Sequence, residues 1–184
     1  AAGGSGISSM FWNPATITQA GAGLTTESHA ALILGNVEMH AQPGSTLLAL
    51  GADSGNIAQG ALVPSSYYAY RLSPSVVIGA SLNSPFGLVT KADNVIWAGH
   101  TQARTSSIKT YNLNVVAGIQ LGNGFSVGIG PQVQLITGRL TASANGAGTA
   151  VSILDADDIT VGATAGIHWQ ASPGTSIGLG YRSR

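Results

Sequence analysis

Hydrophobic and polar residues alternate at every second position over long stretches of the chain, most regularly between residues 111 and 140. From Tyr111 to Leu121 every second residue is apolar, and mostly polar or small residues lie between them. The alternation resumes at Phe125 after Gly122-Asn123-Gly124, and Asn-Gly is the strongest short signal for a tight hairpin turn. Because strand side chains point alternately to opposite faces, this stretch predicts a β-hairpin with one apolar and one polar face.

The two predicted strands are unusually long. They exceed the ~5–6 residues common in soluble proteins and match the ~9–11 tilted residues that cross a bilayer. No apolar run approaches the ~18 residues of a transmembrane helix. A soluble β-sandwich or lipocalin-like barrel is the alternative. We favour a membrane-spanning sheet, because the polar face carries almost no charge and the apolar face is continuous.

The same alternation predicts five further strands, which makes about seven in all. They cover residues 27–42, 63–73, a stretch starting at Val76, residues 159–170, and a stretch starting at Ile177. Short turns alternate with the predicted long loops 43–60, 88–106 and 141–158. Short turns at one end and long loops at the other are typical of outer-membrane barrels. The predicted fold is therefore all-β, an antiparallel up-and-down transmembrane β-barrel.

Composition supports a sheet that faces lipid. Only 8% of the residues are charged, against roughly 25% in an average soluble domain, and 26 of the 184 residues are Gly. The net charge is zero, which argues against a nucleic-acid partner. Residues 1–23 do not have a strand pattern. Within them, Asn13 before Pro14 is typical of a helix start, because Asn caps free N–H groups and Pro fits the first helical position.

Candidate catalytic chemistry is sparse. The sequence Gly124-Phe125-Ser126-Val127-Gly128 matches the G-x-S-x-G nucleophile elbow, but that motif needs a strand-to-helix turn, and Ser126 enters a strand. The four His residues are scattered without metal-ligand spacing. Asp155, Asp157 and Asp158 are expected to be solvated loop residues rather than a calcium site. We predict that the protein is not an enzyme and has no metal or cofactor.

Several segments resemble, in order along the chain, the FadL/TodX family of outer-membrane transporters of long-chain fatty acids and other hydrophobic compounds. Their order and spacing carry the resemblance. The segments are Asn13-Pro14-Ala15, Ser81-Leu82-Asn83-Ser84-Pro85-Phe86-Gly87-Leu88, Tyr111-Asn112-Leu113-Asn114, residues 125–130 and residues 178–183.

The resemblance implies a 14-stranded barrel in the bacterial outer membrane, closed by an N-terminal hatch, that takes up hydrophobic molecules passively. Residues 1–26 would form part of the hatch, including Asn13, Pro14 and Ala15. Residues 27–184 would form the first half of the barrel, so the chain would be a fragment of a longer protein. The alternative is a structural or adhesin-like outer-membrane barrel without a transport role.

The resemblance also implies a kink in the third strand that opens the wall sideways, so that ligand leaves into the bilayer. The matching positions are Asn83, Ser84, Pro85 and Gly87. The expected partners are a hydrophobic small molecule, either a fatty acid or an aromatic hydrocarbon, and outer-membrane lipid. The full-length protein is expected to be a monomer.

Arg139, near the outer end of the fifth predicted strand, lies where the family has basic residues that meet a ligand carboxylate. The alternative for Arg139 is an interfacial or loop-facing position. Apolar residues in or beside the second long loop are candidates to line an entry groove, because ligand pockets are mostly apolar, or else to pack within the loop. They are Phe86, Leu88, Val89, Ile96 and Trp97.

Overall fold

The computed structural model describes residues 6–46, 49 and 51–183, and these residues form one antiparallel sheet with a short inner segment. The sheet has eight strands. They are β1 (Leu24–Ile33), β2 (Ala61–Arg71), β3 (Val76–Asn83), β4 (Gly87–Lys91), β5 (Thr105–Gly122), β6 (Phe125–Ser143), β7 (Val151–Ser172) and β8 (Thr175–Arg182). Two short 3₁₀ helices, Ile7–Phe11 and Pro14–Gln19, precede β1.

The strands follow each other as a meander in the order β1-β2-β3-β5-β6-β7-β8, and β4 pairs with β5 beyond the end of β3. The sheet curls into half of a barrel around the two short helices. Within the described residues, β1 pairs only with β2 and β8 only with β7, so each has one free edge. No helix in the described part of the chain is long and apolar enough to cross a membrane.

The two faces of the sheet have opposite polarity, as the alternation predicts. On β5, Tyr111, Val115 and Ile119 point outward and are 47%, 48% and 43% exposed. Asn112 and Asn114 point inward and are fully buried. A soluble protein would reverse this arrangement, so the apolar outer face needs a covering of lipid. The prediction of a lipid-facing sheet is confirmed.

The central hairpin is also confirmed. Strands β5 and β6 pair along most of their length and meet at Gly122-Asn123-Gly124. All three turn residues have positive φ, including Asn123 at 50°, which is the left-handed backbone that Asn and Gly adopt most readily.

The predicted strand ends are wrong in two places at the long-loop end. The first strand covers Leu24–Ile33 rather than residues 27–42, because its partner β2 begins at Ala61, opposite Ile33. The predicted long loop 141–158 is only residues 144–150 in the structure, because β6 continues to Ser143 and β7 already begins at Val151. Pairing continues there although the apolar alternation has ended.

The predicted long loop 88–106 is wrong at both of its ends. Residues Gly87–Lys91 form strand β4, which pairs with β5, and β5 itself begins at Thr105. The sheet therefore continues past the interruption at residues 84–86 instead of ending there.

The two short 3₁₀ helices pack against the inner face of the sheet. Asn13 caps the second helix as predicted: its side-chain oxygen accepts a hydrogen bond from the Ala15 N–H at 3.0 Å, and Pro14 is the first helical residue. Ile7, Met10 and Ile17 of the same segment are buried against Ala69, Val77 and Val116 of the sheet. We call residues 7–19 the inner segment.

A row of paired glycines lies under the inner segment. Gly118 pairs with Gly128, Gly128 with Gly166, and Gly166 with Gly180, so the row crosses four neighbouring strands. A Cβ atom on any of them would collide with the inner segment: Ile17 above Gly118, Pro14 above Gly128, Asn13 above Gly166 and Trp12 above Gly180. The missing side chains allow the backbone and side chains of the inner segment to approach the sheet backbone closely.

Polar contacts fix the inner segment in this position. The Asn13 side-chain amide donates to the Ile167 carbonyl at 2.9 Å, and the Thr18 hydroxyl donates to the Ser126 hydroxyl at 2.9 Å. At the short-turn end, the Arg71 guanidinium donates to the carbonyls of Thr18 and Ala20. The inner segment is thus held at its centre and at its end by the strands around it.

We predict that Gly128→Val displaces the inner segment, because the added side chain occupies the space of Pro14 and Ala15. The measurement is ion conductance of the full-length protein reconstituted in planar bilayers, and we expect a several-fold increase. Gly174→Ala, at a turn glycine with nothing near its Cβ position, should leave conductance unchanged. Normal conductance from a folded Gly128→Val variant would contradict the tight backbone contact.

Candidate functional site

An apolar cavity lies on the sheet between β5, β6 and β7, at the long-loop end. Its volume is about 230 Å³. The residues that line it are Ile108, Ile136, Gly138, Leu140, Leu154, Ala156, Asp157 and Asp158. Ligand pockets are mostly apolar concave surfaces with a few polar groups, so this cavity is the first candidate site for a hydrophobic molecule.

The strand register places most of this lining on the inner face of the sheet. Ile108 pairs with Gly138, and Leu140 pairs with Leu154. Residues directly opposite each other in a pair share a face, and positions two apart along a strand share it too. Ile108 is four positions from the buried Asn112, so the cavity and the buried amides lie on the same inner face.

A layer of uncharged polar side chains separates the cavity from the inner segment. The Asn112 amide donates to the Gln132 side-chain oxygen at 3.3 Å, and the Thr164 hydroxyl donates to the Asn114 side-chain oxygen at 3.5 Å. All four of these residues are buried. The interior therefore changes from apolar at the long-loop end, through an amide layer, to the packed inner segment.

Arg182 joins this amide layer to the inner segment. Its guanidinium donates to the side-chain oxygens of Gln132 and Asn112 and to the Phe11 carbonyl. It also lies over the Phe11 ring, 4.0 Å from the ring centre. A cation above an aromatic face is attracted by the ring electrons, so Phe11 adds to the hydrogen bonds. Arg182 is thus engaged in fixing the inner segment.

The wall is interrupted at Ser84-Pro85-Phe86, where the kink is expected. Asn83 of β3 pairs with Asn112, and Gly87 of β4 pairs with Lys109. Three residues, 84–86, lie between Asn83 and Gly87. Only two residues, Thr110 and Tyr111, lie between their partners Lys109 and Asn112 on β5. One extra residue makes this a bulge, which bends the strand and shifts its register against β5. The Thr110 backbone N–H still donates to the Phe86 carbonyl at 3.0 Å across the bulge.

Thr110 holds the bulge against β5. Its hydroxyl accepts a hydrogen bond from the Phe86 N–H at 2.8 Å and donates one to the Phe86 carbonyl at 2.6 Å. The Ser84 hydroxyl donates to the Thr110 carbonyl at 2.8 Å. Thr110 is almost completely buried. The bulge is therefore a fixed feature whose polar groups are satisfied from the neighbouring strand.

The bulge also determines which side chains of β4 face inward. Leu88 pairs with Ile108 and so shares its inner face, because the extra residue shifts the alternation by one position. Leu88 is 59% exposed. An apolar surface thus continues from the cavity, across Ile108 and Leu88, to the interruption in the wall.

Arg139 lies away from this surface. It is one position from Gly138 and Leu140 along β6, and therefore points to the opposite face of the sheet. Its Nε is 3.7 Å from an Asp155 carboxylate oxygen on the paired strand. This position matches the interfacial alternative and gives no support to contact between Arg139 and a ligand in the cavity.

The remaining apolar candidates are divided between strand and loop. Phe86 lies in the bulge and is 67% exposed, and Val89 alternates with Leu88 and takes the opposite face. Ile96 and Trp97 lie in the loop between β4 and β5, where the Trp97 indole N–H donates to the Ala103 carbonyl at 2.9 Å. Trp97 therefore packs within its own loop.

The nucleophile-elbow match and the acidic residues singled out in the sequence lie in ordinary strand positions. Ser126 of the G-x-S-x-G match is buried on β6 and bonded to Thr18, in a hairpin strand rather than at a strand-to-helix turn. Within the described residues, no group of three or more His, Cys, Asp or Glu side chains has an arrangement that could hold a metal ion. Asp155, Asp157 and Asp158 belong to strand β7 and not to a loop.

Several residues of the site could not be identified from the sequence. Ile136, Leu140 and Leu154 were indistinguishable from lipid-facing or loop residues, because their face depends on the register between strands. Thr110 is one of many strand threonines in the chain. The paired glycines of the wall were visible only as a high Gly content, since their alignment is a property of the folded sheet.

A curled antiparallel sheet with an apolar outer face, a filled interior and short turns at one end defines the wall of an outer-membrane β-barrel. Comparison with known proteins gives the family. The model of the outer membrane protein transport protein family (OMPP1/FadL/TodX) matches residues 1–184, and the chain belongs to this family. It is thus a bacterial outer-membrane protein that crosses the membrane with strands, and the resemblance seen in its sequence is confirmed.

Individual relatives agree with this assignment. The chain is 27% identical over 159 residues to the long-chain fatty acid transport protein of Escherichia coli K12, covering 70% of the chain and 35% of that protein. It is 26% identical over 188 residues to outer membrane protein P1 of Haemophilus influenzae, covering 85% of the chain and 40% of that protein. The chain thus spans well under half the length of these two relatives.

A solved structure shares the fold. The crystal structure of a Pseudomonas aeruginosa FadL homologue superimposes with a TM-score of 0.71 at 20% sequence identity. The match covers 96% of this chain and 47% of that chain. The half-barrel therefore corresponds to about half of a complete barrel of this fold.

The long loop between β1 and β2 contains a pH-sensitive ion pair. His40 Nδ1 lies 2.9 Å from an Asp53 carboxylate oxygen, and this hydrogen bond raises the pKa of His40 above its usual 6.5. A raised pKa means that the pair is complete below pH 6.5 and is lost as the pH rises through the higher folded value. We predict an NMR titration midpoint for His40 above 6.5, and a lower midpoint in Asp53→Asn. Equal midpoints would contradict the pair.

Proposed function

We propose that this chain forms one side of a channel for passive uptake of hydrophobic small molecules across the outer membrane, with lateral exit through the wall. The observation that supports it most is an apolar inner surface that runs from the cavity, across Ile108 and Leu88, to the bulge at residues 84–86. A hydrophobic molecule on this surface would move from the long-loop end to an opening in the wall without crossing a charged layer.

The inner segment supports a lateral route, because it obstructs the direct route through the barrel. It packs closely on the glycine row, Arg71 holds its end at Thr18, and Arg182 holds it at Phe11. In this proposal residues 1–26 act as the hatch, with Asn13, Pro14 and Ala15 at its centre, and residues 27–184 act as the wall. Residues 1–5 lie outside the described part of the chain.

The height of the bulge in the membrane fits an exit into lipid. Thr110, which holds the bulge, pairs with Ile136, and Ile136 lies 11 positions beyond Phe125 at the short-turn end of β6. Since ~9–11 residues of a tilted strand cross the bilayer, the opening would lie close to the outer edge of the hydrocarbon layer. A molecule leaving there would enter lipid directly.

The substrate class follows from the chemistry of the cavity and agrees with the relatives. Burial of apolar area contributes about 25 cal/mol per Å², so a small hydrophobic molecule gains stability in a cavity lined by Ile and Leu side chains. The Escherichia coli relative carries long-chain fatty acid transport in its name. We propose hydrophobic small molecules as ligands, outer-membrane lipid as the surroundings of the wall, and a monomer as the working unit.

The first test removes the extra residue of the bulge. Deleting Pro85 leaves two residues between Asn83 and Gly87, equal to the number on β5, so the ladder can close. We predict that uptake of a fluorescent hydrophobic probe into liposomes containing the protein falls at least several-fold. Pro85→Ala keeps the extra residue and should retain most of the uptake. Unchanged uptake after the deletion, in a folded protein, would contradict lateral exit at this bulge.

The second test changes the cavity. Leu140→Asn places a polar amide on the inner apolar surface opposite Leu154. The probe then loses the apolar contact with one leucine, which is worth ~1.5 kcal/mol of binding free energy. We therefore expect the affinity for the probe to fall about tenfold. Leu140→Met, which conserves volume and apolar character, should bind the probe nearly as well as the unmodified protein. Probe affinity is measured by fluorescence titration. If Leu140→Asn binds the probe as tightly as the unmodified protein does, the cavity is not part of the proposed route.

A further inference from the structure

A second apolar groove lies on the outer face of the sheet, midway along β5 and β6. Its volume is about 540 Å³, and its exposed lining is almost wholly apolar. The side chains around it come from four neighbouring strands and point outward by the alternation of the sheet. They are Ile78 of β3, Val115 and Ala117 of β5, Ile129 and Pro131 of β6, and Ala163 of β7. The outer groove is therefore on the opposite face of the wall from the inner cavity.

Pro131 and Gly130 explain why the wall is concave here. The pairing of β5 with β6 is interrupted at positions 115–116 and 130–131. Pro131 has no N–H to donate to β5. A Cβ atom on Gly130 would point to the inner face, and there it would collide with the Val115 carbonyl oxygen. The backbone of β5 is thus displaced toward the interior at this point, which leaves a depression on the outer face.

An aromatic pair at the short-turn end gives the depth of the outer groove in the membrane. The rings of Phe125 and Trp169 stack with their centres 5.2 Å apart. Outward aromatic rings are typical of the edges of the hydrocarbon layer. Pro131 lies six positions beyond Phe125 on β6. At ~3.3 Å per residue and a tilt of ~45°, this is roughly 14 Å of depth, about half of the ~30 Å hydrocarbon layer.

We propose that the outer groove binds one acyl chain of a phospholipid whose headgroup lies at the short-turn end of the barrel. At mid-bilayer depth the surrounding medium is hydrocarbon, and the lipid-facing surface continues from Phe125 through Val127 and Ile129 to the groove. A chain anchored in that leaflet reaches about the middle of the bilayer, so its distal part meets the groove.

The preference for a bound chain comes from packing. Lipid tails are as apolar as the wall, so burial alone does not distinguish the groove from the rest of the outer face. A chain in a groove contacts protein atoms on more sides than a chain on a flat surface, and these dispersion contacts add up. The inference goes beyond the proposed function and does not depend on it, because the route for the transported molecule uses the inner face.

Two variants separate filling of the groove from a general change of the lipid-facing surface. Ala163→Phe fills the groove, because Ala163 is a small outward residue of its lining. Leu179→Phe is the matched control, since Leu179 also points outward, is 67% exposed and lies outside the lining. Each variant places one phenyl ring against lipid, where apolar side chains are tolerated, so both are expected to fold and insert.

The experiment is photo-crosslinking of the full-length protein in phosphatidylcholine vesicles. The probe is a phosphatidylcholine with a diazirine near the end of one chain, and the labelled residues are identified by mass spectrometry. Tyr70 and Tyr181 serve as reference positions, because they point outward in the same row of paired residues as Ile129 but lie outside the groove. We expect residues 115–117 and 129–131 to be labelled at least several-fold more than the two references.

The variants and a second probe decide the outcome. Ala163→Phe should reduce groove labelling to the level of the references, and Leu179→Phe should leave it unchanged. Equal labelling of groove and references in the unmodified protein would overturn the proposal, and so would unchanged labelling in Ala163→Phe. A photoreactive free fatty acid that labels the groove where the phospholipid does not would also contradict it, because the occupant would then be a different molecule.

Uptake of the fluorescent hydrophobic probe distinguishes this proposal from the proposed function. Ala163→Phe should take up the probe as fast as the unmodified protein, because the added ring lies on the outer face. Loss of groove labelling together with normal uptake supports a lipid site that is separate from the transport route. A matching loss of uptake in Ala163→Phe but not in Leu179→Phe would contradict that separation.

Discussion

The structure depends on one constraint: a sheet in a bilayer must satisfy its backbone hydrogen bonds internally while its two faces meet different surroundings. Strict alternation along β5 and β6 meets this requirement, with Val115 and Ile119 toward lipid and Asn112 and Asn114 toward the interior. Polar side chains can be buried inside because they bond to one another and to the inner segment. The low charge of the chain follows, since a charge on either face of this wall is costly unless it has a partner.

The interior is organised by height along the strands. Near the short turns, glycines replace side chains so that the inner segment fits against the wall. Above them is the amide layer with Arg182, and above that the inner face becomes apolar around Ile136 and Leu140. The bulge at residues 84–86 lies at the boundary between the amide layer and the apolar surface, where a small molecule would meet the inner obstruction. The proposed route follows from these neighbouring features.

The sequence predicted the parts of the fold that depend on one strand at a time. Seven of the eight strands, the hairpin at Gly122-Asn123-Gly124, the polarity of the faces and the Asn13 cap all follow from local patterns. Strand β4 does not, and it lies in a predicted loop. The predicted strand ends are wrong beyond the lipid-facing part of the sheet. There β7 continues through Asp157 and Asp158 because it pairs with β6, although the apolar alternation has ended. The cause of the bulge and the inner position of Leu88 needed the register between two strands, which one sequence does not display. The face of Arg139 could not be assigned from the sequence for the same reason, since it depends on the parity of the strand.

The most direct test of the account is the accessibility of spin labels attached to single cysteines at positions 112–117 and 119 of β5, measured for the protein in lipid vesicles. Labels at Leu113, Val115, Ala117 and Ile119 should collide with oxygen dissolved in the hydrocarbon. Labels at Asn112, Asn114 and Val116 should be shielded from it by the interior. The account therefore predicts oxygen accessibility that oscillates with a period of two. Uniform accessibility, or an oscillation of the opposite phase, would contradict a wall with lipid on one face and a filled interior on the other.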